Sequence, residues 1–326
     1  MRDLSVLIPA RNEPWLSQTV EDVLAYREAD TEIIVVLDGT PAHPPLPADP
    51  RIVVVALATP IGQRAATNLA ARHSIGRYVM KLDAHCSVDQ GFDRKLIEAD
   101  LEVGRPDLTQ IPALYNLHAF NWRCAGCGRE TYQGPEPTAC EPCAGSGPFE
   151  RVIYWDRNAI RFPNGKHTRT ECWCFDHELH FRYHGPRRAD QQHSELPDVM
   201  SCLGACYFLR RDRFWELGGL DENHGSWGQM GTEIACKSWL SGGQMVCNRQ
   251  TWFAHLFRTQ HGFGFPYPLS ESQVQRARAY SKDLWLENRW PGQVLPLSWL
   301  IDYFAPIKGW HAAEGAERLA YVQPRG

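Results

Sequence analysis

The segment YVMKLDAHCSVD, Tyr78 to Asp89, is an apolar run that stops on an acid and an imidazole two residues apart. In an extended chain residues i and i+2 project to one side, so Asp83 and His85 are placed to hold one ion while Ala84 packs behind them. A strand-end acid capping the next turn, beside a surface histidine, has the same pattern, and from these residues alone both readings stand. A second set of ligand-type residues is more constrained. In WRCAGCGRETYQGPEPTACEPCAG the thiols of Cys124, Cys127, Cys140 and Cys143 fall as C-x2-C-x12-C-x2-C. These are two knuckles whose four thiolates close a tetrahedral Zn²⁺ site and leave no position for water. Such a site is structural, and an insert this short is expected to need its metal to fold. Free thiols or a redox dithiol are the competing reading. Cys172, Cys174, His177 and His180 in CWCFDHELH match no common zinc spacing and read as packing, and Cys86, Cys202, Cys206, Cys236 and Cys247 lie in apolar strings that read as core.

The rest of the chain must place these residues. Over the first hundred positions short apolar runs alternate with helical patterns, as in a sheet of parallel strands joined by crossover helices. LSVLIPA, EIIVVLDG, RIVVVAL and the Tyr78 segment read as four strands. Helices are expected over EPWLSQTVEDVLAYR and IGQRAATNLAARHSI, and a surface loop over TPAHPPLPADP. Ligands of open parallel sheets bind beyond the carboxyl ends of the strands, so Pro9 to Glu13, Asp38 and Asp83 to His85 are expected around one nucleotide-type crevice. The 326 residues carry a formal charge of -4, which gives no global sign of nucleic-acid binding. No apolar run reaches about 18 residues, and the opening MRDLSVLIPARNE lacks a signal peptide's apolar stretch. A cytoplasmic protein with no membrane attachment is expected, its eleven cysteines reduced.

ARNEPWLSQTVEDVL, VMKLDAHC, FWELGGLDENHGSWGQMGTEIACKSWLSGG, WFAHLFRTQHGFGFPY and the late QRARAYSKDLWLENRW, in this order, make the chain resemble the catalytic domain of the polypeptide N-acetylgalactosaminyltransferases. These belong to the wider class of metal-dependent family 2 and related glycosyltransferases with the GT-A fold. The resemblance covers most of residues 1–120 and 198–290. It implies an α/β chain with a Rossmann-like nucleotide-binding sheet covered by helices on both faces, interrupted by the ribbon. Expected divisions are a nucleotide-sugar-binding half at 1–120, the zinc ribbon at 121–150, an acceptor-binding half at 151–290 and a C-terminal lid or packing segment at 291–326. The resemblance further implies that Asp83, His85 and His255 ligate a divalent ion against a UDP-sugar diphosphate; on its own His255 reads as a core histidine among Trp252, Phe253 and Phe257. Mixed oxygen and imidazole ligation suits Mn²⁺ better than Mg²⁺. Pro9, Arg11, Asn12, Glu13 and Asp38 are implied at the base and ribose, and Gly62, Arg64 and Arg258 at the diphosphate.

On the acceptor side the chain departs from the resemblance. WGGEN is replaced by WGQMG, so Met230 and Gly231 stand where a glutamate and an asparagine are expected, and Glu233 fits a second acid. An inverting enzyme needs a carboxylate base facing the acceptor hydroxyl. With no adjacent Glu-Asp pair here, retention is expected, Glu233 and Trp227 shaping the pocket, with Asp221, Glu222 or Glu233 as the base in the other case. The basic RNAIRFPNGKHTRT, with Arg157, Arg161, Lys166 and Arg169 near Trp155 and Phe162, reads as a solvated loop or as a track for a phosphate backbone. The expected acceptor is therefore a hydroxymethylated base in DNA, to which a hexose or N-acetylhexosamine is transferred. The alternative is a protein Ser/Thr or glycan hydroxyl, with the ribbon purely structural. A ribbon on a catalytically dead scaffold fits poorly with an intact Asp83, His85 and His255. Oligomeric state is not legible.

Overall fold

Apolar runs rich in Val, Ile and Leu build the first strands. The computed structural model describes residues 2–157, 169–183, 189–257 and 270–310. In it β1 (Arg2–Ala10) and β2 (Thr31–Asp38) are buried along almost their whole length, as expected of parallel strands covered on both faces, and β3 (Ile52–Leu57) is a half-exposed edge. Between them run α1 (Leu16–Tyr26), then α2 (Gln63–His73), which leads into β4 (Gly76–Leu82). The chain continues through β5 (Cys86–Val88), α3 (Phe92–Val103), β6 (Leu108–Asn116), β7 (His118–Cys124), β8 (Glu130–Tyr132) and β9 (Phe149–Asp156). A short hairpin of β10 (Trp173–Phe175) and β11 (Phe181–Tyr183) precedes β12 (Cys206–Arg210), α4 (Arg211–Glu216), α5 (Met230–Leu240), β13 (Gln244–His255), α6 (Glu271–Trp285) and α7 (Leu297–Phe304).

Eight strands form one sheet in the order β3-β2-β1-β4-β12-β6-β13-β5. The parallel arrangement read from the sequence holds for β3-β2-β1-β4 and again for β6-β13, but β12 runs antiparallel to both of its neighbours. β5 pairs antiparallel with the end of β13, setting Cys86 opposite His255. The Tyr78 segment is not a single strand. It ends at Leu82, Asp83 to His85 form a turn, and the chain resumes as β5, so the same-face rule for an extended segment does not apply to Asp83 and His85.

A separate antiparallel sheet, β8-β7-β9, runs from His118 to Asp156, wider than the insert expected at 121–150. Phe120 and Trp122 on this sheet share a small second core with Trp15 and Leu117. Arg161, Phe162 and Lys166 lie outside the described residues. The two ends of that basic loop are spoken for. The Arg157 guanidinium sits 4.2 Å from the Trp252 ring, and Arg169 pairs with Glu171 at 2.6 Å. Leu297, Leu300 and Phe304 of α7 pack onto the main core, with Phe304 against Trp239. The five cysteines read as core are all fully buried.

Candidate active site

Three strand ends and one helix start converge beyond the carboxyl edge of β1 and β4. His255 closes β13, and its Nε2 lies 3.3 Å from Asp83 Oδ2 and 3.1 Å from His85 Nε2. The three ligand atoms are all within 4.8 Å of one another. Metal–ligand bonds of about 2.1 Å give polyhedron edges of about 3.0 Å, so this spacing fits one ion. Each ligand is oriented by a partner. The His85 ring meets Glu13 Oε2 through Nδ1 at 2.9 Å, which leaves Nε2 for an ion, the carboxylate–histidine arrangement common to metal sites. Asp83 Oδ1 accepts from Lys81 Nζ and, at 3.0 Å, from Gln63 Nε2, so Oδ2 is the oxygen turned toward the histidines. Lys81 is fully buried and also donates to the Gly204 carbonyl at 2.8 Å.

Burial drives the His255 imidazole down to about 4, against the raising effect of Asp83, so at neutral pH the ring is uncharged and its nitrogen is available as a ligand. Burial would raise the Asp83 carboxyl, but Lys81 and the His255 hydrogen bond outweigh it and hold the group ionised well below the usual range. An anionic oxygen and two imidazole nitrogens form a suitable donor set for Mn²⁺.

The triad opens on a cavity of about 540 Å³ lined by Pro9, Arg11, Glu13, Trp227, Tyr183 and Phe257 among others. Several residues expected at the ligand turn inward instead. Asp38 is fully buried, and its carboxylate accepts the backbone N–H groups of Ile61 (2.6 Å) and Gly62 (3.0 Å); it shapes the loop rather than meeting a ribose. Asn12, at φ +48°, is exposed outside the cavity, its N–H donating to Thr40 Oγ1. Arg64 and Glu233 correct the expectation most. They form a buried ion pair at 3.0 Å, 1% and 0% exposed, so Arg64 is not free for a diphosphate and Glu233 does not face the pocket. Glu233 also pairs with Lys237 at 2.9 Å and accepts the Asp221 N–H at 2.6 Å. Arg64 donates to the carbonyls of Gly225 and Gly228 on either side of Trp227, and the Gln63 N–H donates to Ser226 O, so the start of α2 clamps the segment that carries Trp227 to the cavity. Arg258 lies outside the described residues.

Sequence reasoning missed Lys81, Gln63 and the contribution of Phe181 and Tyr183. Lys81 had a signal, a lysine inside an apolar strand two residues before the acid; Gln63 and the hairpin had none.

The cysteines of the small sheet also converge. Cys124 Sγ is 3.8 Å from Cys143 Sγ, and Cys127 Sγ is 3.5 Å from Cys140 Sγ. Among the described residues these four thiols and the Asp83 triad are the two groups spaced for a metal, and Cys172 and Cys174 are packed instead.

Against known proteins, residues 5–108 match the profile of glycosyl transferase family 2. Residues 5–108 are a glycosyl transferase family 2 domain. The domain lies within a longer similarity. Putative polypeptide N-acetylgalactosaminyltransferase 13 of Drosophila melanogaster is 26% identical over 237 residues, 72% of this chain and 34% of that protein. Probable N-acetylgalactosaminyltransferase 7 of Caenorhabditis elegans is 24% identical over 274 residues, 80% of this chain and 40% of the relative. The chain thus spans well under half of these relatives. A crystal structure of GalNAc-T7 with UDP, GalNAc and Mn²⁺ superposes with a TM-score of 0.62 at 18% identity, covering 88% of this chain and 50% of the other, and the fold is GT-A. Within the family 2 domain lie Pro9, Arg11, Glu13, Asp83 and His85; His255 and Trp227 come from the part of the chain beyond it.

Proposed function

We propose that the chain is a divalent-metal-dependent glycosyltransferase that moves a sugar from a UDP-sugar to a hydroxyl of a polypeptide. The observation that carries this reading is the convergence of Asp83 Oδ2, His85 Nε2 and His255 Nε2 at the mouth of a cavity bordered by the family 2 domain. A bound Mn²⁺ would supply counter-charge to the nucleoside diphosphate as the glycosidic bond breaks. The chain's own residues prepare the site. Glu13 fixes the tautomer and tilt of His85, Lys81 and Gln63 hold Asp83 with one oxygen presented, and burial keeps His255 neutral. Trp227, Tyr183 and Phe257 give the cavity apolar walls that shed water around the reacting groups.

Retention of configuration remains our reading. Among the described residues lining the cavity the carboxylates are Glu13 and Asp83, and both are engaged at the triad. Asp221, Glu222 and Glu233 are not among the residues lining the cavity, and Glu233 is sealed in its ion pair, which supports a site without an acceptor-facing base. A polypeptide acceptor is preferred to a DNA base for two reasons. Several relatives are named as polypeptide transferases, and the described ends of the basic loop are engaged elsewhere. Arg157 and Arg169 are pinned to the protein, and Trp155 stacks on Trp15 at 5.7 Å with its Nε1 donating to Asp22.

The test offers UDP-N-acetylgalactosamine, UDP-N-acetylglucosamine and UDP-glucose with Mn²⁺ to Ser/Thr peptides and to hydroxymethylcytosine DNA, with products read by mass and by the anomeric proton coupling. Glycopeptide with retained configuration, lost in Asp83→Ala and His255→Ala, is expected. Transfer to DNA alone would overturn the acceptor, an inverted product would overturn retention, and full turnover in both variants would overturn the metal assignment.

A further inference from the structure

The four-thiol cluster stands apart from the donor site, and its distances identify it chemically. A tetrahedron of thiolates at about 2.3 Å from zinc has sulfur–sulfur edges of about 3.8 Å. The pairs here stand at 3.8 and 3.5 Å, whereas a disulfide bond is about 2.05 Å long. Both knuckles are turned by backbone hydrogen bonds, Gly128 N–H to Cys124 O at 2.8 Å and Cys140 N–H to Gly145 O at 2.8 Å. Little else holds this end of the sheet. β8 has three residues, β9 is largely exposed, and most residues from 125 to 148 are exposed, so apolar burial there is too thin to fix the loops.

The sheet is not an isolated appendage. Phe120 of β7 stacks on Trp15 at 5.4 Å, and Trp155 of β9 stacks on the same indole at 5.7 Å. The Trp15 backbone N–H donates to Glu13 Oε1, and Glu13 Oε2 holds His85. Trp155 donates to Asp22, whose other oxygen accepts the Val88 N–H of β5, and the Leu117 N–H ahead of β7 donates to His255 O. The structure assigns a structural Zn²⁺ to Cys124, Cys127, Cys140 and Cys143, and we propose that this ion fixes β7 and β9 as the buttress that keeps Glu13 and His85 in place. The buttress role rests on the donor-site reading above, and the zinc assignment stands without it.

The experiment measures zinc per chain by mass spectrometry of metals on the purified full chain. Wild type and Asp83→Ala/His255→Ala should each hold one zinc, and Cys127→Ser/Cys143→Ser none. Exchange of Co²⁺ into wild type should give sulfur-to-cobalt charge-transfer bands, which the oxygen and nitrogen ligands of the donor site do not produce. Absence of zinc in the donor-site double variant, no such bands, or a mass lighter by two hydrogens per cysteine pair would overturn the site. For the buttress, the Mn²⁺ dissociation constant, read by electron paramagnetic resonance, should weaken several-fold in Cys127→Ser/Cys143→Ser. It should weaken in the same direction in Trp155→Leu, which keeps its zinc. Unchanged Mn²⁺ affinity in Trp155→Leu would overturn the buttress while leaving the zinc assignment intact.

Discussion

At the scale of single residues the most consequential finding is what Glu233 does. Its carboxyl is fully buried; burial would raise it, but Lys237 and Arg64 pull it down to about 2. Removing one member of such a group leaves buried charge uncompensated, at a cost of about 3–5 kcal/mol. Glu233→Gln should therefore lower the urea midpoint markedly. The sign of the pH effect follows from a folded value below the ordinary 4.5. The stabilisation is complete above that value and fades as pH falls from 4.5 toward 2. The difference in melting temperature between wild type and Glu233→Gln should be level above about pH 5 and shrink below it. An unchanging gap down to pH 3 would show that the ion pair is not its source. None of this was legible in the sequence. Glu233 carries the right residue type in the right motif, and only the fold shows that Arg64, from 169 positions earlier, meets it in the interior.

Among elements, α2 links the two sides of the cavity. Its first residues hold Asp83 through Gln63 and the Trp227 segment through Arg64, and Gly62 permits the approach. Gly62 sits at φ +96°, and a Cβ there would lie 2.7 Å from Ser226 Cβ. Gly62→Ala is expected to destabilise by about 1–3 kcal/mol and to raise the KM for the nucleotide-sugar as Trp227 shifts. A variant with wild-type KM and melting temperature would show that the Trp227 segment adapts freely. The element itself was legible, since the alanine-rich pattern predicted a helix over 61–75 and the structure forms one at Gln63–His73. Its contact with the 225–228 segment was not, because periodicity reports which face is buried and not which distant loop it covers. β1 to β4 were located for the same reason, and the turn at Asp83 was missed because an acid two residues before an imidazole fits the end of an extended strand as well as it fits a turn.

For the whole molecule, the division into a donor half at 1–120 and an acceptor half at 151–290 is a division of sequence and not of structure. β12, from the second half, lies between β4 and β6 of the first and runs against both. The short-range patterns that revealed the parallel strands carry no information about a reversed strand arriving 124 residues after β4 ends, counted from Leu82 to Cys206. One consequence bears on anyone who would trim the gene. A fragment stopping at residue 120 would lack both β12 and β13, leaving β4 bare along one edge and β6 bare along both. Such a truncation is expected to collect in inclusion bodies, and deuterium uptake of the intact chain should find the amides of Cys206–Arg210 among the last to exchange.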